Sequence, residues 1–263
     1  MIRSRVRMRG SGSNVIIPRQ TLQEAGFSNV VAQWESTLAS SYSGTGNTFA
    51  NIASAPADGS AQSAYDLTLT SLTFNGAAGD VGAYFSTAGL GYARIAANTP
   101  FLRDLHKTTG ASDYGLLIIY EAGTTGTGML ISTKTSTNDD GIEIQTATNI
   151  THRQSNGVAT SNVSGGTIAA TTPYLLVVGH SAAGATSIRA LNSRTRTEQA
   201  HTFGATTTDA ANLFTLFARS PVAIRMPSGS RLKSAVLLNV YPDNALINSL
   251  VNYYNNLHAA TYA

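Results

Sequence analysis

Residues Asp66–Ile95 read DLTLTSLTFNGAAGDVGAYFSTAGLGYARI, Asp113–Ala122 read DYGLLIIYEA, and Gly126–Gln145 read GTGMLISTKTSTNDDGIEIQ. Apolar and small polar residues alternate in short segments separated by Gly, Asn and Asp turns, the pattern of an antiparallel sheet with one wet face. Strands are predicted here at Leu67–Phe74, Val81–Phe85, Tyr92–Ile95, Tyr114–Ala122, Met129–Thr133 and Gly141–Thr146. More follow at Tyr174–Gly179, Thr186–Leu191, Leu213–Ala218, Ala223–Met226 and Leu232–Tyr241. Two helical signals interrupt them. Thr99 caps a short helix with Pro100 at its first position and Phe101, Leu102 and Leu105 on its buried side. Beyond Pro242, residues Leu246, Ile247, Leu250, Val251, Tyr254 and Leu257 recur at helical spacing, with Asp243 or Asn244 as N-cap.

The chain of 263 residues fits one β-sandwich. Apolar residues make up 42%, enough for a core, while the charged share is 12%, about half the usual fraction. Ala, Gly, Ser and Thr fill the gap. With no cysteine, a disulfide framework and a thiolate metal site are both excluded. The apolar runs Leu116–Tyr120 and Tyr174–Val178 are too short to cross a bilayer, so no membrane partner is expected. The start, MIRSRVRMRGSGSN, carries charge without the apolar stretch of a signal peptide.

The order and content of these segments resemble the laminin-G-like branch of the concanavalin A-like lectin superfamily, whose modules occur on virion proteins of tailed bacteriophages. The closing stretch LLNVYPDNALINSLVNYYNNLH (237–258), a final strand and then an amphipathic helix, is similar to those modules as well. The resemblance covers most of 66–263. It implies an all-β, concanavalin A-like jelly-roll sandwich with an extended N-terminal arm and a C-terminal helix. It also implies a non-enzymatic structural protein of a virion (head decoration, neck or tail), on the particle exterior, whose work would be host glycan adhesion on a tail, or reinforcement of subunit joints or weak adhesion on a head. A free carbohydrate-binding module is the alternative, and a glycosidase of the same fold is a third reading.

Three regions are expected: a basic arm and joint (1–14), a connecting segment on or beside the sandwich (15–60), and the sandwich itself (61–263). Arg3, Arg5, Arg7, Arg9 and Arg19 all precede the first acid, Glu24. Removing those five from 17 basic residues leaves 12 against 14 acids, so the net charge of +3 belongs to the stretch before Glu24, four of its five arginines in the arm. Arginine at every second position, with Ile2, Val6 and Met8 between, would place guanidinium groups on one face of an extended strand. Such an arm is expected to anchor on a neighbouring subunit of a homo-oligomer or particle. Nucleic acid is not the expected partner, because no aromatics interleave the arginines. Within 15–60, Thr21–Glu24 has capping-box spacing, Asn29–Ala39 reads as a leading strand or helical turn, and Ser40–Gly59 reads as a long surface loop.

Catalytic residues are not expected. Tyr174–Gly184, YLLVVGHSAAG, approaches the G-x-S-x-G elbow of serine hydrolases, but Ala183 stands where its second glycine belongs and a strand follows in place of a helix. Glycosidases pair two carboxylates; here Glu143 is followed at alternate positions by Gln145 and Ala147, which can do neither task. Asp139 and Asp140, in the turn Asn138–Gly141, offer oxygens for calcium, though that sequence is also a good backbone turn. No other cofactor is implied. The five histidines lack zinc spacing. Tyr84, Tyr92, Tyr114 and Trp34 are the candidates for a glycan-stacking surface, each also a plausible core residue. Arg189, Arg194 and Arg196 read as a solvated hairpin tip.

Overall fold

The structure is a computed structural model describing residues 5–6, 17–18, 20–107, 113–124, 126–155, 160–181, 186–200, 207–219 and 224–263, with 5–6, 17–18, 155 and 160–164 described by backbone alone. In chain order its strands are β1 (Arg5–Val6), β2 (Ile17–Pro18), β3 (Val30–Glu35), β4 (Thr48–Phe49), β5 (Leu67–Asn75), β6 (Tyr84–Ile95), β7 (Tyr114–Glu121), β8 (Gly128–Ser132), β9 (Gly141–Thr146), β10 (Asn149–Ser155), β11 (Thr160–Thr167), β12 (Pro173–His180), β13 (Thr186–Leu191), β14 (Thr197–Ala200), β15 (Thr215–Leu216) and β16 (Arg231–Leu238). Helices are α1 (Pro100–Asp104) and α2 (Asn244–His258).

Among the described residues, fourteen strands form one antiparallel sheet that curls into two layers. A front layer runs β4-β5-β6-β15-β8-β9-β10-β11, and a back layer runs β3-β16-β7-β12-β13-β14. They join where Arg231 and Leu232 of β16 pair with Ser86 and Phe85 of β6. This is a concanavalin A-like jelly-roll sandwich with a C-terminal helix, the expected fold.

The helix explains why β7 shows no alternation. Leu116, Ile118 and Tyr120 enter the core between the layers, whereas Leu117 and Ile119 enter a second core under α2. β12 divides in the same way, with Leu176 and Val178 facing in and Leu175 and Val177 facing the helix. A strand dry on both faces reads as a continuous apolar run. α2 buries Ile247, Leu250, Val251, Tyr254 and Leu257, each worth roughly 1.5–3 kcal/mol in burial. Asp243 caps it, its carboxylate accepting from Leu246 N at 2.7 Å. Pro242, just before, rests on bare backbone: a Cβ at Gly179 would lie 2.7 Å from its Cδ, and one at Gly115 2.5 Å from its Cγ.

Several expectations need correction. Val81–Phe85 and Tyr92–Ile95 belong to one strand, β6, whose register against β5 slips between Thr87 and Tyr92. β10, β11 and β14 were not predicted; they are polar strands with little apolar content to announce them. The segment 15–60 supplies β3 and β4 to the main sheet, and Phe49, Ile52 and Ala53 of the expected surface loop are buried. β15 is only two residues long, and β16 ends at Leu238. The short helix at Thr99-Pro100, the Thr21/Glu24 capping box and the β12–β13 hairpin are present.

Arg5–Val6 is extended and pairs with Ile17–Pro18 of its own chain, in a sheet separate from the main one. Ile2, Arg3, Arg7, Met8 and Arg9 lie outside the described residues, and of Arg5 and Val6 only the backbone is described.

Candidate functional site

Cross-strand register assembles a row on the face of the front layer that points away from the core: Thr68, Arg94, Thr215, Ser132, Glu143 and Arg153. Their sequence neighbours Leu67, Ala93, Leu216, Ile131 and Ile144 fill the core, so period-two alternation fixes this face. Toward β10 the row is closed. Glu143 is wholly buried, and both its oxygens are taken: Arg219 Nε donates to Oε2 at 2.9 Å, and Arg153 Nη1 donates to Oε1 at 2.8 Å. Facing it across the strands are Ser132 and Arg153, not a second carboxylate. Burial pushes the nearby Lys134 ammonium down to about 8, against the pull of Glu143 and with the push of Arg219 and Arg153. Both oxygens of Glu143 are thus occupied by guanidinium donors.

Toward β6 the row is open. Tyr92 and Arg94 lie two residues apart on this face, both half-buried. The Arg94 guanidinium carbon is 5.9 Å from the Tyr92 ring centre, and Arg225 reaches the same ring at 6.0 Å. Arg94 makes no ion pair among the described residues. Tyr84 sits farther along β6 under Arg231 at 4.6 Å, and Arg231 also meets Glu121 at 3.4 Å. Leu90, between the tyrosines, is 60% exposed, unusual for a large aliphatic side chain.

Two of the four aromatic candidates lie elsewhere. Trp34 is fully buried, stacked on Phe214 at 5.8 Å with its indole N–H donating to Tyr65 O at 2.8 Å. Tyr114 is also buried; its hydroxyl meets His152 Nε2 at 2.8 Å and accepts from Gln154 at 2.7 Å. Neither can stack on a sugar, because each faces the core between the layers. The signal missed for the open face was the Tyr92–Arg94 spacing, since Arg94 and Arg225 drew no notice among the aromatics.

Asp139 Oδ2 accepts from Ser136 N at 2.6 Å, closing its own turn, while Asp140 faces the buried His106 at 3.7 Å. Among the described residues no three carboxylate or imidazole groups converge as a metal site would require. Burial pushes the His106 imidazole down to about 4, against the attraction of Asp140. His180, of the elbow-like stretch, is buried with its Nδ1 at 3.4 Å from Ser187. Of the expected hairpin-tip arginines, Arg194 bonds Asn252 and the carbonyl of Ala263, and Arg196 lies over Tyr241 at 4.8 Å. Arg189 stands mid-strand in β13.

One further constellation imitates an active site. His258 Nε2 lies 3.1 Å from each Glu35 oxygen and 3.4 Å from Ser234 Oγ, while its Nδ1 meets Tyr262 Oη at 2.8 Å. A catalytic triad places acid and serine on opposite ring nitrogens. Here both crowd one nitrogen, and all three residues are buried where the last turn of α2 meets the sheet. Burial alone would raise the Glu35 carboxyl; the charge of His258 and hydrogen bonds from His258, Ser234 and Thr37 overcome that and hold it below the usual carboxylate range. It is a pin for the helix.

No family model and no curated protein sequence matches the chain. Solved structures do. A Trypanosoma rangeli sialidase mutant displaying trans-sialidase activity aligns at 12% identity and TM-score 0.57, over 89% of this chain and 34% of that one. A structure of botulinum neurotoxin type C, whose cell entry is described as dependent upon interaction with two ganglioside molecules, aligns at 10% and 0.58, over 89% and 53%. The botulinum neurotoxin DC binding domain in complex with SialylT aligns at 8% and 0.59, over 87% and 52%. The chain thus spans a third to a half of these proteins, and at such identities the likeness establishes the concanavalin A-like, lectin-type sandwich as its fold. No helix among the described residues is long and apolar enough to cross a membrane.

Proposed function

We propose that this chain is a non-enzymatic, lectin-like module that binds cell-surface glycan on the open face of its front layer, and that its N-terminal arm ties it to the outside of a tailed-phage particle. The observation that carries the binding role is the Tyr92 ring flanked by the Arg94 and Arg225 guanidiniums, with Arg94 engaged by no acid among the described residues. A pyranose presents C–H groups on one face and oxygens around its rim. An aromatic ring receives the first and guanidinium groups receive the second, most strongly when the sugar is acidic. The fold's likeness to proteins described as binding gangliosides and SialylT supports the same reading.

The non-enzymatic part rests on Glu143, whose oxygens are committed to Arg219 and Arg153. The particle role rests on the resemblance of the strand and helix pattern to phage modules and on the basic arm.

A glycan array probed with wild type and Arg94→Ala tests the binding site. Wild type should retain a set of acidic glycans that the variant loses at least tenfold; equal retention by both rejects the site. Deleting residues 1–14 should leave a folded body that fails to join particles, and normal incorporation rejects the anchor. Wild type and Glu143→Gln should both leave β-glucans uncut.

A further inference from the structure

The back layer turns one guanidinium inward at its edge. In β13, Ile188 and Ala190 face α2, so the alternate residues Arg189 and Leu191 point between the layers. Across the opening lies β11 of the front layer. A Cβ built on Gly165 would meet Arg189 Nη1, Nη2 and Cζ at 2.6, 2.7 and 2.8 Å, so the guanidinium packs face-on against bare glycine backbone. At Gly166 the same group is 3.6 Å away.

Among the described residues Arg189 has no counter-charge. Its cross-strand neighbours are Val178 and Thr197. It makes no hydrogen bond or ion pair among the described residues, and the nearby acid Glu198 is paired with Arg196. Burial lowers its pKa with no opposing charge at work. A partly desolvated guanidinium with five idle donors is unfavourable unless something fills them. The group opens into a cleft of about 310 Å³ lined by Thr167, Tyr174, Ser193, Thr195 and Thr197. That volume is at the lower end for ligand pockets. Tyr174 Oη already accepts from Ala169 N, which leaves its proton to donate.

We propose that this edge cleft is a second binding site, taking a saccharide that carries a carboxylate or sulfate: the oxyanion sits on the Arg189 fork and the sugar hydroxyls meet the threonine-lined rim. The site shares with the front-face reading only its ligand class. Arg94→Ala tests that face and Arg189→Gln tests this one, so either can fail alone.

The test follows the arginine Nε–H resonances of 15N-labelled protein, with Arg189 assigned by its loss in Arg189→Gln. Sialyllactose and a sulfated disaccharide are titrated separately, beside lactose and inorganic sulfate. The Arg189 signal should shift with one or both acidic sugars and stay still with lactose; which of the two moves it identifies the anion. Arg189→Gln should weaken binding at least tenfold with Tm unchanged or raised, and Arg189→Lys should weaken it through loss of the planar fork. A still resonance with both acidic sugars, an equal response to lactose, or a response to inorganic sulfate alone overturns the proposal. So does undiminished binding in both variants, or a fall in Tm with Arg189→Gln that shows the residue to be structural.

Discussion

The two faces that point away from the central core carry charge in opposite ways. On the back layer, Glu35 and Ser234 lie under α2 and meet His258 of its last turn, so the buried acid finds its partner within the chain. On the front layer toward β6, Arg94 and Arg225 flank a half-buried tyrosine in the open. A charge under a helix must be satisfied internally or the fold does not form. Arg94, which meets no acid among the described residues, is the charge there that is left to serve something outside. Charged residues on a sheet face therefore say little until one knows what lies on top of them.

Breaking the closed face should cost most. Glu35→Ala leaves His258 buried without its acid, and a loss of about 3–5 kcal/mol is expected in urea unfolding. In a double-mutant cycle, adding His258→Ala should cost far less than it does alone. If the two losses simply add, the pin does not exist.

Acid should act next. His106 is held neutral in the fold, with its pKa pushed down to about 4, while the unfolded chain takes up a proton below about 6.5. Stability should therefore fall as pH drops through that window, by up to about 3 kcal/mol. His106→Asn should flatten the slope. Glu35 is depressed below 4.5, so its contribution is present above that pH and disappears only under stronger acid. Thermal melts between pH 2 and 7 check both statements.

Smaller effects sharpen the contrast. Gly179→Ala drives a methyl into Pro242 and should cost about 1–3 kcal/mol by shifting the start of α2, with a drop in Tm. Arg94→Ala, on the open face, should move stability by less than about 0.5 kcal/mol while abolishing glycan retention. A large Tm loss there would mean that the open face is structural after all.

The chain announces its helix, its caps and its apolar strands plainly. Asp243 with the stripe from Leu246 to Leu257, and Thr99 with Pro100, are local signals that tertiary contacts reinforce. It announces poorly whatever depends on a distant layer. Tyr114 alternates with small residues like a surface aromatic, yet it faces the core between the layers, while α2 covers the opposite side of β7. β10 is hidden because Ile150 is its one apolar core residue, while His152 and Gln154 face inward to meet Tyr114. The open site was half-visible: Tyr92 stood out, but its partners Arg94 and Arg225 are far apart in sequence and meet only over the ring. Gly165-Gly166 within a strand was the readable hint that another group approaches closely, and that group is Arg189.

β16 bonds to β3, β6 and β7, so a strand near the C-terminus is the common neighbour of strands laid down near the start. During synthesis the earlier strands have no centre to close around until that segment leaves the ribosome. A chain released short of β16 would leave β3 and β7 with exposed edges, ready to pair with another molecule.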